Sequence, residues 1–348
     1  MGASLMRCDR RQLLTLASGA LGLAAGHSLA GRALQANAAA DALRIGLISD
    51  LNSSYGSTSY IPQVQQGLTH LLALKPALVV CAGDMVAGQK KGLSARRLDQ
   101  MWEAFARTIL LPVRRQGIPF LPAVGNHDGA PGFSADRQAV RRFWKHRRQA
   151  LGLRWVDSAD FPFHYSVLDQ DVFWLVWDAS SSRVPEAQLL WARRQLMGAE
   201  ARQARLRLVV GHLPLAGISQ GRDRPGEVLT EHHRIKRLLQ ETGVQGYISG
   251  HQHAWYPASE AGLDLIQLGA MGSGPRLLIG DRRPRPQSFT TLDLDWQEHT
   301  LEETSYDAAT GMTLDWDSLP EQLQGHRGTL MRNRALRPLT QLLSLIHI

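Results

Sequence analysis

The sequence predicts a mixed α/β fold, because short apolar segments alternate with longer amphipathic segments along most of the chain. In the first half, segments 43–49, 77–82 and 118–124 have the length and apolar character of buried strands. Segments 62–74 and 94–115 lie between them and carry apolar residues at helical spacing. This β-α-β-α-β order is typical of a sheet that packs helices against its faces.

The second half of the chain continues with both kinds of segment. Strands are predicted at 163–168, 172–178, 206–210 and 244–249, and helices at 134–151, 185–197 and 230–242. Three further segments are expected to close a second sheet: 263–268, 288–293 and 300–304. No internal repeat and no Pro/Ser-rich linker divides this part of the sequence, so we predict one domain.

Length and composition limit the class of protein. The chain has 348 residues, of which 44% are hydrophobic and 20% charged, as in globular proteins with a sizeable core. Two cysteines cannot build a disulfide framework or a cysteine-based zinc site. The formal net charge of +8 is compatible with an anionic substrate but does not identify one.

The N-terminus has the order of an export signal. Arg10 and Arg11 precede an apolar segment at 13–25, and small residues follow at 36–40. The paired arginines resemble a twin-arginine signal, although Asp9 stands where such signals usually have Ser or Thr. We therefore expect residues 1–40 to be a signal peptide read by the export machinery for folded proteins, and the product to be periplasmic or otherwise exported. The alternative is a short anchor that is never cleaved.

The remaining chain is divided into a main domain at 41–306 and a C-terminal tail at 307–348. No segment after the signal is long and apolar enough to span a bilayer, so no stable membrane span is expected after processing. The last six residues, 343–348, match the peptide that a common sequencing adapter encodes in frame. A genuine apolar tail is the alternative.

Residues with carboxylate, amide or imidazole side chains follow five predicted strands. In chain order they are Asp50 and Asn52; Asp84; Asn126, His127 and Asp128; His212; and His251 and His253. Active sites of open α/β sheets lie at the carboxyl ends of strands, so these groups are expected to converge. Besides His127 and Asp128, the set offers two carboxylates, two amide oxygens and three histidines. These are too many for one tetrahedral ion and fit two ions that share a carboxylate.

Each residue of the set, taken alone, has a structural explanation. Gly-Asp is a frequent turn sequence, and a single histidine after a strand is usually structural. The combined order D-x-N, G-D, G-N-H-D, G-H and G-H-x-H resembles the calcineurin-like metallophosphoesterase superfamily over residues 43–274. The resemblance implies a four-layer α/β/β/α sandwich, with two mixed sheets flanked by helices. It also implies a dinuclear centre of Mn, Fe or Zn.

The same resemblance implies a role for each residue. Asp50 and His253 would bind the first metal ion, and Asp84 would bridge both. Asn126, His212 and His251 would bind the second ion. His127 would face the phosphoryl group and assist the leaving oxygen, with Asp128 orienting the imidazole.

Asn52 departs from the family pattern, because most members have histidine at this position. An amide oxygen is a harder and weaker ligand than imidazole. If Asn52 is a ligand, the first ion should bind more loosely or favour Mn²⁺ over Zn²⁺. A site with one metal ion is the alternative.

These observations predict an exported metal-dependent phosphohydrolase, in which a metal-bridging hydroxide attacks a small phosphoester. Segments 52–60, 89–91 and 269–276 are expected to wall the pocket, with Arg276 either binding a phosphate or covering the rim. One alternative is a nuclease or cyclic-nucleotide phosphodiesterase, weakly favoured by the basic segment 141–148. Its charges fit the solvated face of a helix, so nucleic acid is not the expected partner. The other alternative is a non-catalytic phosphate-binding module on the same fold.

Overall fold

A computed structural model describes residues 42–333, which form two β-sheets and the helices that flank them. The strands of this part of the chain are β1 (Ala42–Ile48), β2 (Leu78–Cys81), β3 (Phe120–Pro122), β4 (Trp155–Asp160), β5 (His164–Asp169), β6 (Val172–Val176), β7 (Leu206–Val210), β8 (Gly246–Ser249), β9 (Tyr256–Glu260), β10 (Leu263–Gln267), β11 (Ser288–Asp295), β12 (Thr300–Asp307), β13 (Gln322–Gly325) and β14 (Gly328–Arg332).

Four of the five predicted helices, at 62–74, 94–115, 185–197 and 230–242, begin and end within two residues of the predicted positions, and the helices described in residues 42–333 also include two short ones that were not predicted. The helices are α1 (Pro62–Ala73), α2 (Ala95–Phe105), α3 (Leu111–Arg115), α4 (Asn126–Gly129), α5 (Ser134–Lys145), α6 (Glu186–Leu196), α7 (Ala199–Gln203) and α8 (His232–Glu241). A π-helical turn, Ala106–Leu110, makes α2 and α3 continuous. The Ser94 hydroxyl caps α2 by accepting from the backbone N–H of Arg97 at 3.2 Å.

Both sheets are mixed. The first has the order β12-β11-β1-β2-β3, in which β1, β2 and β3 are parallel and β11 and β12 antiparallel. The second has the order β13-β14-β9-β10-β8-β7-β6-β5-β4, with a parallel centre and antiparallel strands on both sides. The predicted fold class, two mixed sheets flanked by helices, is therefore confirmed.

The alternation of side chains along β6 shows why the sheets form separate layers. Val172, Trp174 and Val176 enter the same hydrophobic cluster as β1 and β2. Phe173 and Leu175 point to the opposite face and enter the cluster that contains the apolar sides of α6 and α8. A strand that is covered on both faces has a nearly continuous apolar sequence, as this one does.

Three features differ from the expectations. Segments 288–293 and 300–304 belong to β11 and β12 of the first sheet, not to the second, because local patterns do not specify a strand's partner. The predicted helix at 134–151 ends at Lys145, and a separate 3₁₀ turn follows at Arg148–Leu151. Strands β4, β9, β13 and β14 were not predicted from the sequence; β4 is a half-exposed edge strand whose pairing is interrupted by register shifts.

Part of the segment expected to be a tail is folded, since β13 and β14 extend the second sheet beyond β9. The predicted export signal and the six adapter-like residues lie outside the described residues. Within 42–333, no helix has the length and apolar character of a membrane span. The thiol of Cys81 is free and buried.

The turns that follow β1 and β2 are tied together, which fixes the edge of the first sheet. The backbone N–H groups of Asp50 and Leu51 donate to the carbonyls of Gly83 and Asp84 at 3.0 and 2.9 Å. The turn that follows β8 is joined to the turn after β7 by a bond from Gly250 N to His212 O at 3.1 Å. These bonds position the polar residues at the strand ends.

Candidate metal centre

Four site residues occupy a backbone conformation that L-amino acids rarely adopt. Asp50, Asp84, His251 and His253 have φ angles of 53°, 55°, 68° and 55°. Non-glycine residues in this region cost roughly 1–3 kcal/mol each and persist only where the surrounding structure requires them. All four are buried. Four of the ten described non-glycine residues with positive φ therefore lie where the strand ends turn their side chains toward a common point.

Each of the three site histidines binds an acceptor through one ring nitrogen. Nδ1 of His212 lies 2.8 Å from Ala82 O, and Nδ1 of His253 lies 2.9 Å from Gly274 O. In His251 it is Nε2 that lies 2.8 Å from an oxygen of Glu227. Carbonyl and carboxylate oxygens only accept hydrogen bonds, so in a neutral ring these nitrogens carry the proton. The other nitrogen of each ring then has a lone pair, and in His251 this lone pair also faces Nη1 of Arg222.

These lone pairs point at other acceptors. Nε2 of His212 lies 2.9 Å from Oδ1 of Asn126 and 3.2 Å from Oδ2 of Asp84. Nδ1 of His251 lies 3.0 Å from the same Asn126 oxygen. Nε2 of His253 lies 3.1 Å from Oδ1 of Asp50.

The orientation of the Asn126 amide is fixed by its other end, because Nδ2 donates to Oε1 of Gln89 at 2.7 Å. The oxygen must then face the histidines.

Two carboxylate oxygens at the same place have no hydrogen-bond partner. Asp50 accepts from the backbone N–H of His251 at 3.0 Å through Oδ2, and Asp84 accepts from that of His127 at 2.8 Å through Oδ1. The second oxygens, Oδ1 of Asp50 and Oδ2 of Asp84, are buried and unsatisfied. Buried acceptors without a donor are costly, and a cation between them removes that cost.

The donor set fits divalent metal ions. Ligand atoms of Asp50, Asp84 and His212 lie within 4.8 Å of one another, and all three side chains are buried. Oxygen and imidazole donors without thiolate suit Mn²⁺, Fe²⁺ and Zn²⁺. Asp84 lies beside His212, while Asp50 pairs with His253 on the other side. The group of Asp50, Asp84 and His212 is therefore a candidate site for a divalent ion.

The electrostatics of the cluster keep both carboxylates charged. Burial alone would raise the pKa of Asp84, but the positive charges of protonated His212 and His127 lower it to about 2. Burial would lower the pKa of His212, but the charge of Asp84 in turn raises it to about 9, so a bound cation would take the place of the His212 proton. His253 likewise holds the pKa of Asp50 well below its usual range against the effect of burial. Burial lowers the pKa of His251 to about 4 although Glu227 opposes the shift, which keeps this ring neutral at pH 7.

His127 lies at the open side of the cluster. Its Nδ1 is 3.3 Å from Gly88 O, and its Nε2 is 4.0 Å from Oδ2 of Asp84. The imidazole is 15% exposed, and its ring centroid lies 5.1 Å from that of the exposed Tyr55. It is therefore the most exposed histidine of the set, against 10% for the His253 side chain and 7% for that of His251.

Asp128 does not take the position expected of a residue that orients His127. Its two oxygens accept from the backbone N–H groups of Val86 at 3.0 Å and Gly125 at 2.8 Å, while the His127 ring faces Gly88 O. The carboxylate is the third residue of a tight helical turn, α4, and such residues bond back to the backbone. Burial and the charge of Asp84 raise its pKa to about 7. Asp128 supports the backbone that carries Asn126 and His127.

Asn52 is buried beside the cluster, but its amide oxygen accepts a hydrogen bond from the Ser273 hydroxyl. Ser273 is itself held by a bond from its N–H to Asp50 O at 2.9 Å. The structure thus places the Asn52 amide oxygen against the glycine-rich turn 272–274.

Two residues at the centre were not selected from the sequence, Glu227 and Arg222. Glu227 holds the His251 ring, and Nη1 of Arg222 lies 3.2 Å from Nδ1 of His251. Both lie in the loop that follows β7, where neither periodicity nor a strand end indicates a contact with the site. The charged composition of 222–227 was the only available signal.

Comparisons with known proteins agree with this geometry. Residues 43–255 match the family described as calcineurin-like phosphoesterase. The fold is similar to that of a purple acid phosphatase from yellow lupin (Lupinus luteus) seeds, with a TM-score of 0.60 and 14% identity. That match covers 79% of this chain and 53% of the lupin protein, so the chain spans about half of the lupin protein's length.

A second similar structure is GAP50, described as the anchor in the inner membrane complex of Plasmodium. It has a TM-score of 0.51 and 13% identity, with coverage of 88% of this chain and 94% of GAP50. No curated protein gave a significant sequence match. At these identities the structural matches show the fold, whereas the family match spans more than half of the chain and all the strand-end residues up to His253. The chain therefore belongs to the calcineurin-like phosphoesterase family.

Proposed function

We propose that this chain is an exported phosphohydrolase that cleaves small phosphoesters at a dinuclear metal centre. The observation that carries the proposal is the convergence of histidine lone pairs on the two unsatisfied oxygens of Asp50 and Asp84. Positive charge stabilises such an arrangement, and bound divalent cations can activate water and stabilise the phosphoryl oxygens in phosphoester hydrolysis.

The ligands divide into two groups by position. Asp50 and His253 would hold one ion, and Asn126, His212 and His251 the other, with Asp84 between the groups. Cations bound there would supply a lowered pKa for the attacking water and positive charge for the phosphoryl oxygens. Asn52 would act indirectly, by positioning the turn at Ser273 next to Asp50.

His127 is the residue placed to act on the leaving group. Its ring lies beyond the ligands, toward solvent, and its backbone N–H is fixed by Asp84. A protonated Nε2 can donate to the leaving oxygen as the P–O bond breaks, which typically contributes 10²–10⁴-fold to the rate. No nucleophilic side chain is needed, since water attacks phosphorus directly.

The described contacts favour a small substrate over nucleic acid. On the basic segment, Arg142 pairs with Asp99 at 2.8 Å, and Arg147 pairs with Glu103 at 2.8 Å. The guanidinium of Arg141 lies over the ring of Phe163, 4.6 Å from its centroid. These three arginines pair with other residues of the protein, so they do not form an unpaired basic patch for the phosphates of a nucleic acid.

A non-catalytic role is the second candidate, because the similar GAP50 is described as an anchor. The buried, unsatisfied carboxylates and the accessible His127 support the enzyme, since a purely structural module does not require them.

The test is hydrolysis of paired aryl phosphate monoesters and diesters by metal-depleted protein to which Mn²⁺, Fe²⁺ or Zn²⁺ is returned. We expect metal-dependent turnover that His127→Ala and Asp84→Ala each reduce at least 100-fold. His127→Ala should still bind metal. A folded wild-type protein without turnover under any metal would refute the enzyme and leave the structural role.

A further inference from the structure

A loop next to the metal centre concentrates positive charge. It follows β7 and carries Arg222, Arg224 and Glu227, and Arg276 approaches it from the turn after β10. The loop is locked onto the G-H-x-H turn by the fully buried Gln252. Its Oε1 accepts from the backbone N–H groups of Ile218 and Ser219 at 3.0 and 3.1 Å. The charges therefore have a defined position relative to His251 and His253.

Arg222 contacts the centre directly. Its Nη1 donates to the carbonyl of His251 and lies 3.2 Å from Nδ1 of the same residue, the nitrogen that faces Asn126. The side chain is 15% exposed, so the guanidinium is fixed at the edge of the ligand cluster.

Arg276 lies close enough to Arg222 for their charges to interact. Its backbone N–H donates to His253 O at 3.0 Å. Its guanidinium reaches Gly221, since a Cβ built on that glycine would lie 3.9 Å from Nη1. The Nε atom is buried and has no hydrogen-bond partner. Burial and the positive charge of Arg222 lower the pKa of Arg276, so the two guanidinium groups repel each other.

The acids of the loop do not neutralise this charge. Glu227 lies 3.3 Å from Arg224 and 4.0 Å from Arg222, and it already binds His251. Asp223 turns away and accepts from the backbone N–H of His326 at 2.6 Å. Three arginines thus share one carboxylate, and the buried Nε of Arg276 lacks an acceptor. Guanidinium groups with unpaired N–H donors and little neutralising charge nearby are suited to bidentate binding of a phosphate.

We propose that Arg276, together with Arg222, binds a second phosphate group of the substrate, so that the preferred substrates are small molecules with two phosphates. The inference rests on the proposed function, because it assigns the first phosphate to the metal centre. Hydrolysis breaks one P–O bond at the centre and forms one to water. The second phosphate stays on the product and serves only for binding.

The test compares propane-1,3-diol bisphosphate with the monophosphate, using phosphate release by the metal-loaded full-length protein. We expect the kcat/KM of wild type to be roughly 10- to 100-fold higher for the bisphosphate than for the monophosphate. This ratio corresponds to the free energy that hydrogen bonds to a charged group typically contribute. Arg276→Gln should remove most of this preference through KM, and Arg276→Lys should keep part of it. Arg96→Gln, an exposed arginine outside the loop, is the matched control.

Binding gives a second readout that does not depend on turnover. Calorimetry with inorganic pyrophosphate and inorganic phosphate should show the same preference in wild type and its loss in Arg276→Gln, with thermal unfolding confirming that the variant is folded. A wild-type protein that hydrolyses both esters without preference would overturn this inference and leave the proposed function intact. So would an Arg276→Gln variant that loses both substrates equally. No turnover of either ester by wild type would instead refute the proposed function.

Discussion

Glu227 offers the sharpest test of how the second ion is held. Its carboxylate accepts from Nε2 of His251 at 2.8 Å, which leaves the Nδ1 lone pair directed at the centre. Glu227→Ala removes the acceptor, so the proton is free to move to Nδ1 and the ring is free to rotate. Such partners of ligating histidines typically contribute 10- to 100-fold to metal affinity. The Glu227 side chain is 24% exposed, so we expect the lower half of that range, about 1.4–2 kcal/mol.

The assay is calorimetric titration of metal-depleted protein with Mn²⁺, fitted to two sites. Glu227→Ala should weaken one site and leave the other unchanged. Glu227→Gln keeps an acceptor oxygen and should recover much of the loss. Glu231→Ala removes an exposed acid that pairs only with Arg234, and it is the control. Unchanged affinity at both sites, or an equal loss at both, would refute the tautomer argument.

Three further predictions concern the scaffold. Gly83 has a φ of 101°, and the Cβ of Gly83→Ala would lie 2.6 Å from Nδ1 of His212. We expect this variant to lose about 1–3 kcal/mol in unfolding free energy, measured by urea denaturation. It should also bind the proposed second ion more weakly, measured as metal content. Trp144 is fully buried and its Nε1 has no hydrogen-bond partner, so it contributes through packing. Trp144→Ala should lower the free energy of unfolding by about 3–5 kcal/mol in the same denaturation assay. A similar loss for Trp144→Phe would contradict the packing argument. The hydrogen bond from His232, aided by Lys236, lowers the pKa of Glu260 to about 2 although burial opposes the shift. This carboxylate therefore stabilises the fold fully above pH 4.5 and loses that effect as the pH falls toward 2. The difference in stability between wild type and Glu260→Gln should shrink over that range, and a difference independent of pH would be inconsistent with it.

The strand ends were predictable because two local signals coincide there. A buried strand is recognised from its apolar sequence, and Asp84 or His212 follows such a strand directly. Parallel strands then bring their carboxyl ends to one edge of each sheet. The contact of Asp84 with His212 also requires the two sheets to pack against each other, which the local sequence does not specify.

Contacts that depend on loops were not predictable. Glu227 reaches His251 from 24 positions away along an irregular segment, and nothing local indicates that contact. The hydrogen bonds of Asp128 follow from the backbone geometry of one tight turn, which the sequence G-N-H-D permits but does not specify. The prediction that β11 belongs to the second sheet was wrong for a related reason, because β11 pairs with β1, which is distant in sequence.

The most direct test of the account is the metal content of the purified protein at saturating Mn²⁺, compared among three forms. Wild type should bind two ions per chain. His253→Ala should retain one, because only the group around Asp50 loses a ligand, while Asp84→Asn should lose affinity at both positions. One ion in wild type, or two ions retained in Asp84→Asn, would contradict the claim that Asp84 lies between two metal sites.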